Sequence, residues 1–160
     1  MKRNSLWALC YCLASRIAAA DPCSIGIDAN DKMQFSAHTL TVSPTCTAIR
    51  VTLRNIGEQP AAIMGHNWVL TLASDAAAVS SAGRGAGIAG NYLPAGDRRI
   101  IVATPMLGAG ESATVRFETA RLTPGASYKY FCSAPGHFAA MNGKLNVRAA
   151  GIVTAANRTP

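Results

Sequence analysis

Apolar and polar residues alternate over short stretches of this chain, the period of half-buried strands rather than of helices. The first such run is Ser24–Asn30. Gln34–Val42 and Ala48–Arg54 follow, divided by Pro44, and Asn67–Leu72 continues the pattern after Gly65. Between Asp75 and Gly90 the texture changes to Ala, Ser and Gly, which predicts a short helix with Asp75 as its N-cap. Its glycines weaken it, so it is expected to be an appendage rather than a core element. Strands resume at Arg99–Ala103, Ala113–Glu118, Ser127–Phe131 and Lys144–Arg148. Turn residues separate them: Pro94-Ala95-Gly96, Gly108-Ala109-Gly110, Pro124-Gly125 and Asn142-Gly143. About seven or eight short strands with such turns predict a two-sheet β-sandwich. Residues 149–160 carry no core pattern and read as a tail, and there is no internal repeat. Asn157-Arg158-Thr159 matches a glycosylation acceptor, a pattern too short to carry weight.

The first twenty residues follow a different logic. Lys2 and Arg3 precede an apolar stretch from Leu6 to Ala14, and Arg16 and Ala18-Ala19-Ala20 close it. Charged, apolar, then small is the order of a secretory signal, with cleavage expected before Asp21. Cys10 and Cys12 leave with it. The chain of 160 residues is 49% hydrophobic and 14% charged, enough to bury one core and too apolar for wholesale disorder. No run of 18 or more apolar residues occurs, which excludes a membrane-spanning helix. Loss of Lys2, Arg3 and Arg16 leaves 12 basic against 8 acidic side chains, so the formal charge falls from +7 to +4. The remaining charges are scattered, and the basic patch that nucleic-acid binding requires is missing.

Cleavage leaves Cys23, Cys46 and Cys132. An odd count in an oxidising compartment means one pair and one leftover. Cys23 and Cys46 stand at the starts of two strand-like runs and could staple them, contributing about 3 kcal/mol by restricting the unfolded chain. Cys132 is then the free thiol, a liability in that setting unless it is buried or bound to metal.

Its surroundings carry the chemistry. Cys132, His137 and Met141 fall within ten residues, on a loop that leaves the end of the Tyr128–Phe131 run. Pro135 and Gly136 force a tight turn there, so one loop can direct a thiolate, an imidazole and a thioether toward a point. His66, from a distant strand-like segment, supplies a second imidazole. Two His, one Cys and a more distant Met are the donor set of electron-transfer copper, because thiolate and thioether suit Cu(I) while imidazole also accommodates Cu(II). Zinc is the rival, since Cys and His bind it well; Met is a poor zinc ligand and tips the choice to copper. His38 reads as structural.

The segments Met64-Gly65-His66-Asn67-Trp68-Val69-Leu70 and Phe131-Cys132-Ser133-Ala134-Pro135-Gly136-His137, with Met141, resemble the azurin branch of the cupredoxin family of small blue copper proteins. Cys23-Ser24, Asn30-Asp31, Met33-Gln34-Phe35 and Tyr92-Leu93 match as well, and the likeness runs from about Asp21 to Arg148. It implies an all-β, eight-stranded Greek-key sandwich over 21–148 with one short peripheral helix. It implies one copper ion held by His66, Cys132 and His137, with Met141 as a weak axial ligand and the Gly65 carbonyl opposite. A Cys23–Cys46 disulfide, hydrogen bonds from Asn67 and Ser133 that join the two ligand segments, and a core role for Trp68 are implied too.

Departures from the family pattern matter. Ala134 stands where relatives usually carry an aromatic residue. The apolar docking face around the C-terminal histidine ligand is kept in part by Met33, Ile63, Met64, Pro135 and Ala139, with Ala134 set among them. Gln59 and Arg84 would make its edge more polar. Asn55 occupies a position where some relatives carry a titrating histidine, which leaves a pH switch there unsupported. The resemblance implies a monomeric periplasmic carrier that passes one electron between transient partners, such as a c-type cytochrome or copper nitrite reductase. It implies no enzyme activity, no nucleic-acid binding and no membrane insertion. Two other classes of function compete with this one. A copper storage or delivery module would need an exposed, exchangeable site rich in Met or His. A copper oxidase or reductase needs further metals or an open position, and three histidines leave too few ligands. No Gly-x-Ser-x-Gly, phosphate-loop or His-Glu-x-x-His pattern supports another catalytic class.

Overall fold

The computed structural model describes residues 21–43 and 45–147. The expected signal with Cys10 and Cys12, Pro44, Arg148 and the tail with Asn157 lie outside the described residues. In chain order the elements are β1 (Ser24–Asn30), β2 (Gln34–Phe35), β3 (Thr39–Val42), β4 (Ala48–Asn55), α1 (Ala61–Met64), β5 (Val69–Leu72), α2 (Ala76–Gly83), β6 (Val102–Ala103), β7 (Ser112–Glu118), β8 (Tyr128–Phe131) and β9 (Asn142–Val147).

The strands form two sheets, one in the order β2-β1-β4-β7 and the other β3-β9-β8-β5-β6. The crossovers are those of a Greek key: β1 lies parallel to β4, β3 lies parallel to β9, and the other pairs are antiparallel. Period-two alternation explains the packing. Ile49, Val51 and Leu53 of β4 all point inward and are fully buried, while the alternate residues Arg50 and Arg54 face solvent. The buried three meet Leu70, Tyr130 and Leu145 of the opposite sheet, and Trp68 just before β5, in one core. The Trp68 and Tyr130 rings stack at 5.7 Å, and Tyr130 donates its hydroxyl to the Ala37 carbonyl at 2.6 Å. A disulfide joins Cys23 to Cys46, with Cα atoms 5.6 Å apart, so the start of β1 is tied to the entry of β4.

Among the described residues nine strands appear where eight were expected, because the 34–42 run breaks. Gln34–Phe35 pairs with β1, whereas Thr39–Val42 pairs with β9 in the other sheet. Residues 36–38 make the crossing: the Ser36 hydroxyl accepts the Asp28 N–H at 2.9 Å, and the His38 carbonyl accepts the Lys144 N–H at 2.9 Å. His38 is exposed and acts through its backbone. The Arg99–Ala103 run contributes only Val102–Ala103 to the sheet, since Asp97 folds its start into a turn by accepting the Arg99 N–H at 3.0 Å. Asn142-Gly143, predicted as a turn, lies inside β9 instead. Gly143 is there for space: a Cβ would come within 2.2 Å of the Tyr130 ring.

The helix forms where the sequence places it, with two corrections. Asp75 has helical backbone angles, φ −95° and ψ −19°, and its carboxylate makes no capping bond; a capping side chain needs an extended residue to reach back to the first N–H groups. Nor is α2 a loose appendage. Ala76 and Val79 pack with Val69 and Phe131 in a second apolar cluster on the outside of the five-stranded sheet. Short α1, which the pattern did not announce, follows Pro60 and carries the chain into the site described next. Among the described residues, no helix is long and apolar enough to cross a membrane.

Candidate metal centre

His66 arrives from α1 through Gly65, a position with no room for a side chain: a Cβ would stand 2.4 Å from the Ala61 carbonyl and 2.8 Å from Met106. A two-way bridge to Leu107 then fixes the His66 backbone, with N–H to carbonyl distances of 3.0 and 2.8 Å. Buried Asn55 braces that bridge by donating its amide to the Leu107 carbonyl at 3.0 Å. The position is a structural anchor here.

The other donors come from the loop between β8 and β9. Gly136, at φ +84°, makes the reversal that Pro135-Gly136 predicted. The loop closes on its own backbone: the Cys132 N–H donates to the Met141 carbonyl at 3.0 Å, and the Met141 N–H donates to the His137 carbonyl at 2.7 Å. Three candidate ligands are thus locked together before any ion is considered.

The donor atoms of His66, Cys132 and His137 all lie within 4.8 Å of one another. Cys132 Sγ stands 3.5 Å from His137 Nδ1 and 3.9 Å from the Gly65 carbonyl oxygen, and the imidazole centroids are 5.1 Å apart. His66, Cys132 and Met141 are fully buried, and His137 is 6% exposed. Neither ring nitrogen of His66 has a hydrogen-bond partner among the described residues, a costly state for a buried polar group unless something else takes its lone pair. Burial, then the neighbouring His137 ring, bring the His66 pKa down to about 4, against the opposing pull of the Asn30 backbone and Asp31. Burial lowers His137 as well. It pushes Cys132 up to about 11, opposed by amide hydrogen bonds from Asn67 and Ala134. Neutral imidazoles and a dry sulfur faced by two amides suit a cation that displaces the thiol proton. Two nitrogens, one sulfur and a buried thioether nearby fit copper.

Asn67 and Ser133 do join the two ligand segments. The Asn67 side chain accepts the Ser133 N–H at 2.8 Å and donates to Ser133 Oγ at 2.7 Å. A third member of this network, Asn91, was not anticipated. Its carbonyl accepts both Asn67 Nδ2 at 3.1 Å and Ser133 Oγ at 2.8 Å, and its side chain accepts the Met106 N–H at 2.7 Å. Asn91 sits at φ +56°, a left-handed conformation that asparagine tolerates better than most residues. Gly90-Asn91 was the available signal.

The residues assigned to a docking face divide. Ile63 is 68% exposed, Pro135 and Ala139 are exposed, and Met33 and Met64 are half-buried. Ala134 is not a surface residue: at 7% exposure it packs into the core cluster. A depression of about 210 Å³, lined by Ile63, Pro135 and His137 among others, opens over the site.

Comparison with known proteins agrees with this geometry. Residues 21–148 match the model of the copper binding proteins of the plastocyanin/azurin family. The azurin of Achromobacter denitrificans is 41% identical over 147 residues, which is 92% of this chain and 99% of that protein. The azurin of Pseudomonas denitrificans is 44% identical over 126 residues, 79% of this chain and 98% of that one. Among solved structures, an azurin of the obligate methylotroph Methylomonas sp. strain J superposes with a TM-score of 0.77 at 36% identity, covering 79% of this chain and 98% of its own. A sandwich of this topology, a buried His-Cys-His cluster and relatives that align along nearly their whole length lead to one conclusion: the chain belongs to the plastocyanin/azurin family of copper binding proteins.

Proposed function

We propose that this chain is a periplasmic one-electron carrier in which His66, Cys132 and His137 would hold copper, with Met141 and the Gly65 carbonyl as weaker contacts. The observation that carries the reading is the pairing of a dry, unpartnered imidazole at His66 with the free thiol of Cys132. Bound copper supplies a couple between Cu(II) and Cu(I). The chain's own part is to hold the donors still. Asn67, Ser133 and Asn91 lock the His66 segment to the Cys132 loop, and Leu107 and Asn55 lock it to the sheet. Such support fixes ligand orientation.

His137 is the ligand whose ring meets the surface, lining one depression with the exposed Ile63 and Pro135. A transient partner that covers this face, for instance a c-type cytochrome or a copper nitrite reductase, comes close to the site without entering it. Weak, brief encounters suit so small a patch. Burial of Cys132, His66 and Met141 supports a carrier rather than an enzyme: an electron needs no path for substrate atoms. Storage or delivery fits less well, because the single site is enclosed.

The test is visible absorption, EPR and voltammetry on copper-loaded wild type beside Cys132→Ser. Intense visible absorption with rapid reversible cycling, both lost in the variant, is the expected result. Slow cycling with ready transfer of copper to a chelator would favour delivery instead.

A further inference from the structure

The rim of the copper end carries a charge that no ion pair among the described residues uses. Of the described arginines, Arg50, Arg54, Arg99 and Arg116 are ion-paired with Asp21, Asp28, Asp97 and Glu118, and Arg121 donates to the Ile101 carbonyl. Arg84 is exposed, and its guanidinium has no hydrogen bond or ion pair among the described residues. It closes α2 and lines a depression of about 170 Å³ together with Ser80, Ala134, Pro135, Phe138 and Ala139. No carboxylate lines that depression. A basic residue at a helix C-terminus also complements the helix dipole. That accounts for the charge, but not for its opening onto the same loop that carries Cys132 and His137.

We propose that Arg84 is an electrostatic anchor for the redox partner: a carboxylate on the partner's surface seats in the depression beside Ala134 while its apolar patch covers Ile63, Pro135 and Ala139. The inference rests on the carrier reading and names the chemistry of the partner, a redox protein with acidic residues at the edge of an apolar docking patch. The small side chain of Ala134 contributes by leaving the depression open. Charge at a rim acts mainly on association rate and partner choice. In the step itself one electron leaves the reduced protein and converts the partner's ferric haem to ferrous, with no bond made or broken.

The experiment uses a basic c-type cytochrome and the same cytochrome succinylated on its lysines, two oxidants alike in haem and fold but opposite in surface charge. Bimolecular rates of oxidation are measured by stopped flow for the reduced, copper-loaded wild type, Arg84→Gln, Arg84→Lys and Arg98→Gln. Arg98 is the matched control, exposed and free of hydrogen bonds among the described residues, beside Asp75 at the opposite end of α2. Arg84→Gln should slow the succinylated partner about three- to fivefold, the scale of one close ion pair in water. It should leave the basic partner unchanged or faster. Arg84→Lys should keep most of the wild-type rate, and the difference should vanish near 1 M salt, where screening acts within about 3 Å. Equal slowing with both cytochromes, or an Arg98→Gln effect as large as that of Arg84→Gln, overturns the proposal.

A second readout needs no electron transfer. Amide NMR shifts of the reduced protein, titrated with the reduced succinylated cytochrome, should concentrate at residues 80–84 and 134–139. Shifts confined elsewhere overturn the anchor. Shifts at these residues with no oxidation by either cytochrome uphold the anchor and overturn the carrier reading.

Discussion

Replacing Asn67 with leucine keeps nearly the same volume and removes every hydrogen bond by which its side chain holds Ser133 and Asn91. The Ser133 N–H suffers most, because it loses the Asn67 oxygen at 2.8 Å in a position only 1% exposed. An orphaned buried donor costs about 1–3 kcal/mol. The other two acceptors, Ser133 Oγ and the Asn91 carbonyl, still share their own bond at 2.8 Å, so each lost contact costs only about 1 kcal/mol. Extra apolar burial of the leucine returns about 2 kcal/mol. The net loss is about 2 kcal/mol, or about 1 M in urea midpoint at a slope near 2 kcal/mol/M. Urea unfolding of the metal-free protein, followed by far-UV circular dichroism, measures it. Ser133→Ala is the comparison: it removes the hydroxyl and leaves the N–H bonded to Asn67, so it should cost about half as much. An Asn67→Leu midpoint within about 0.3 M of wild type, or a Ser133→Ala loss of equal size, would refute the assignment of the energy to that buried N–H.

Other perturbations have equally definite outcomes. His66 titrates at about 4 in the folded chain against its ordinary 6.5, so the unfolded chain binds a proton that the folded ring refuses; metal-free stability should be full above pH 6.5 and fall by about 3 kcal/mol toward pH 4. Equilibrium unfolding at a series of pH values checks this, and a curve flat over that interval would contradict the buried neutral ring. Ala134→Phe, by filling the depression beside the copper loop and making the surroundings of the already buried Cys132 less polar, should raise the midpoint potential; each tenfold shift toward Cu(I) is about 59 mV. An unchanged or lower value in voltammetry counts against that view. Gly143→Ala should destabilise by about 1–3 kcal/mol through overpacking against Tyr130, with a lower Tm in calorimetry as the sign; a neutral result would mean that the ring moves aside freely.

Much of the site was legible because its chemistry is written in rare residue types. An unpaired Cys, two His and a Met around a Pro-Gly turn have few joint explanations, and the fold indeed brings Cys132, His66 and His137 within 4.8 Å. Strand positions were readable from alternation, as in β4, where every second residue is buried. What alternation cannot show is a change of sheet. The 34–42 run slips by one position at the crossing, from Phe35 and Ala37 to Leu40 and Val42, and it takes the pairing with β1 and then with β9 to show that the slip is a change of sheet. Asn142-Gly143 misled for a related reason: glycine marks turns and close contacts alike, and the Tyr130 ring that needs the space comes from another strand. Asn91 was overlooked since its main service is a backbone carbonyl, which has no letter in the sequence. Ala134 was placed on the surface by analogy with a larger residue; as a methyl group it sinks below its neighbours.

The closure of the ligand loop on its own backbone has a cost in discrimination. With His66, Cys132 and His137 positioned by amide bonds and glycine contacts, the cage cannot reshape itself to exclude another ion that shares copper's taste for imidazole and thiolate. Zinc, which tolerates such an arrangement without complaint, would settle there and stay electrochemically silent. The buried thioether of Met141 tilts the balance toward copper, and what the surrounding compartment supplies decides the rest.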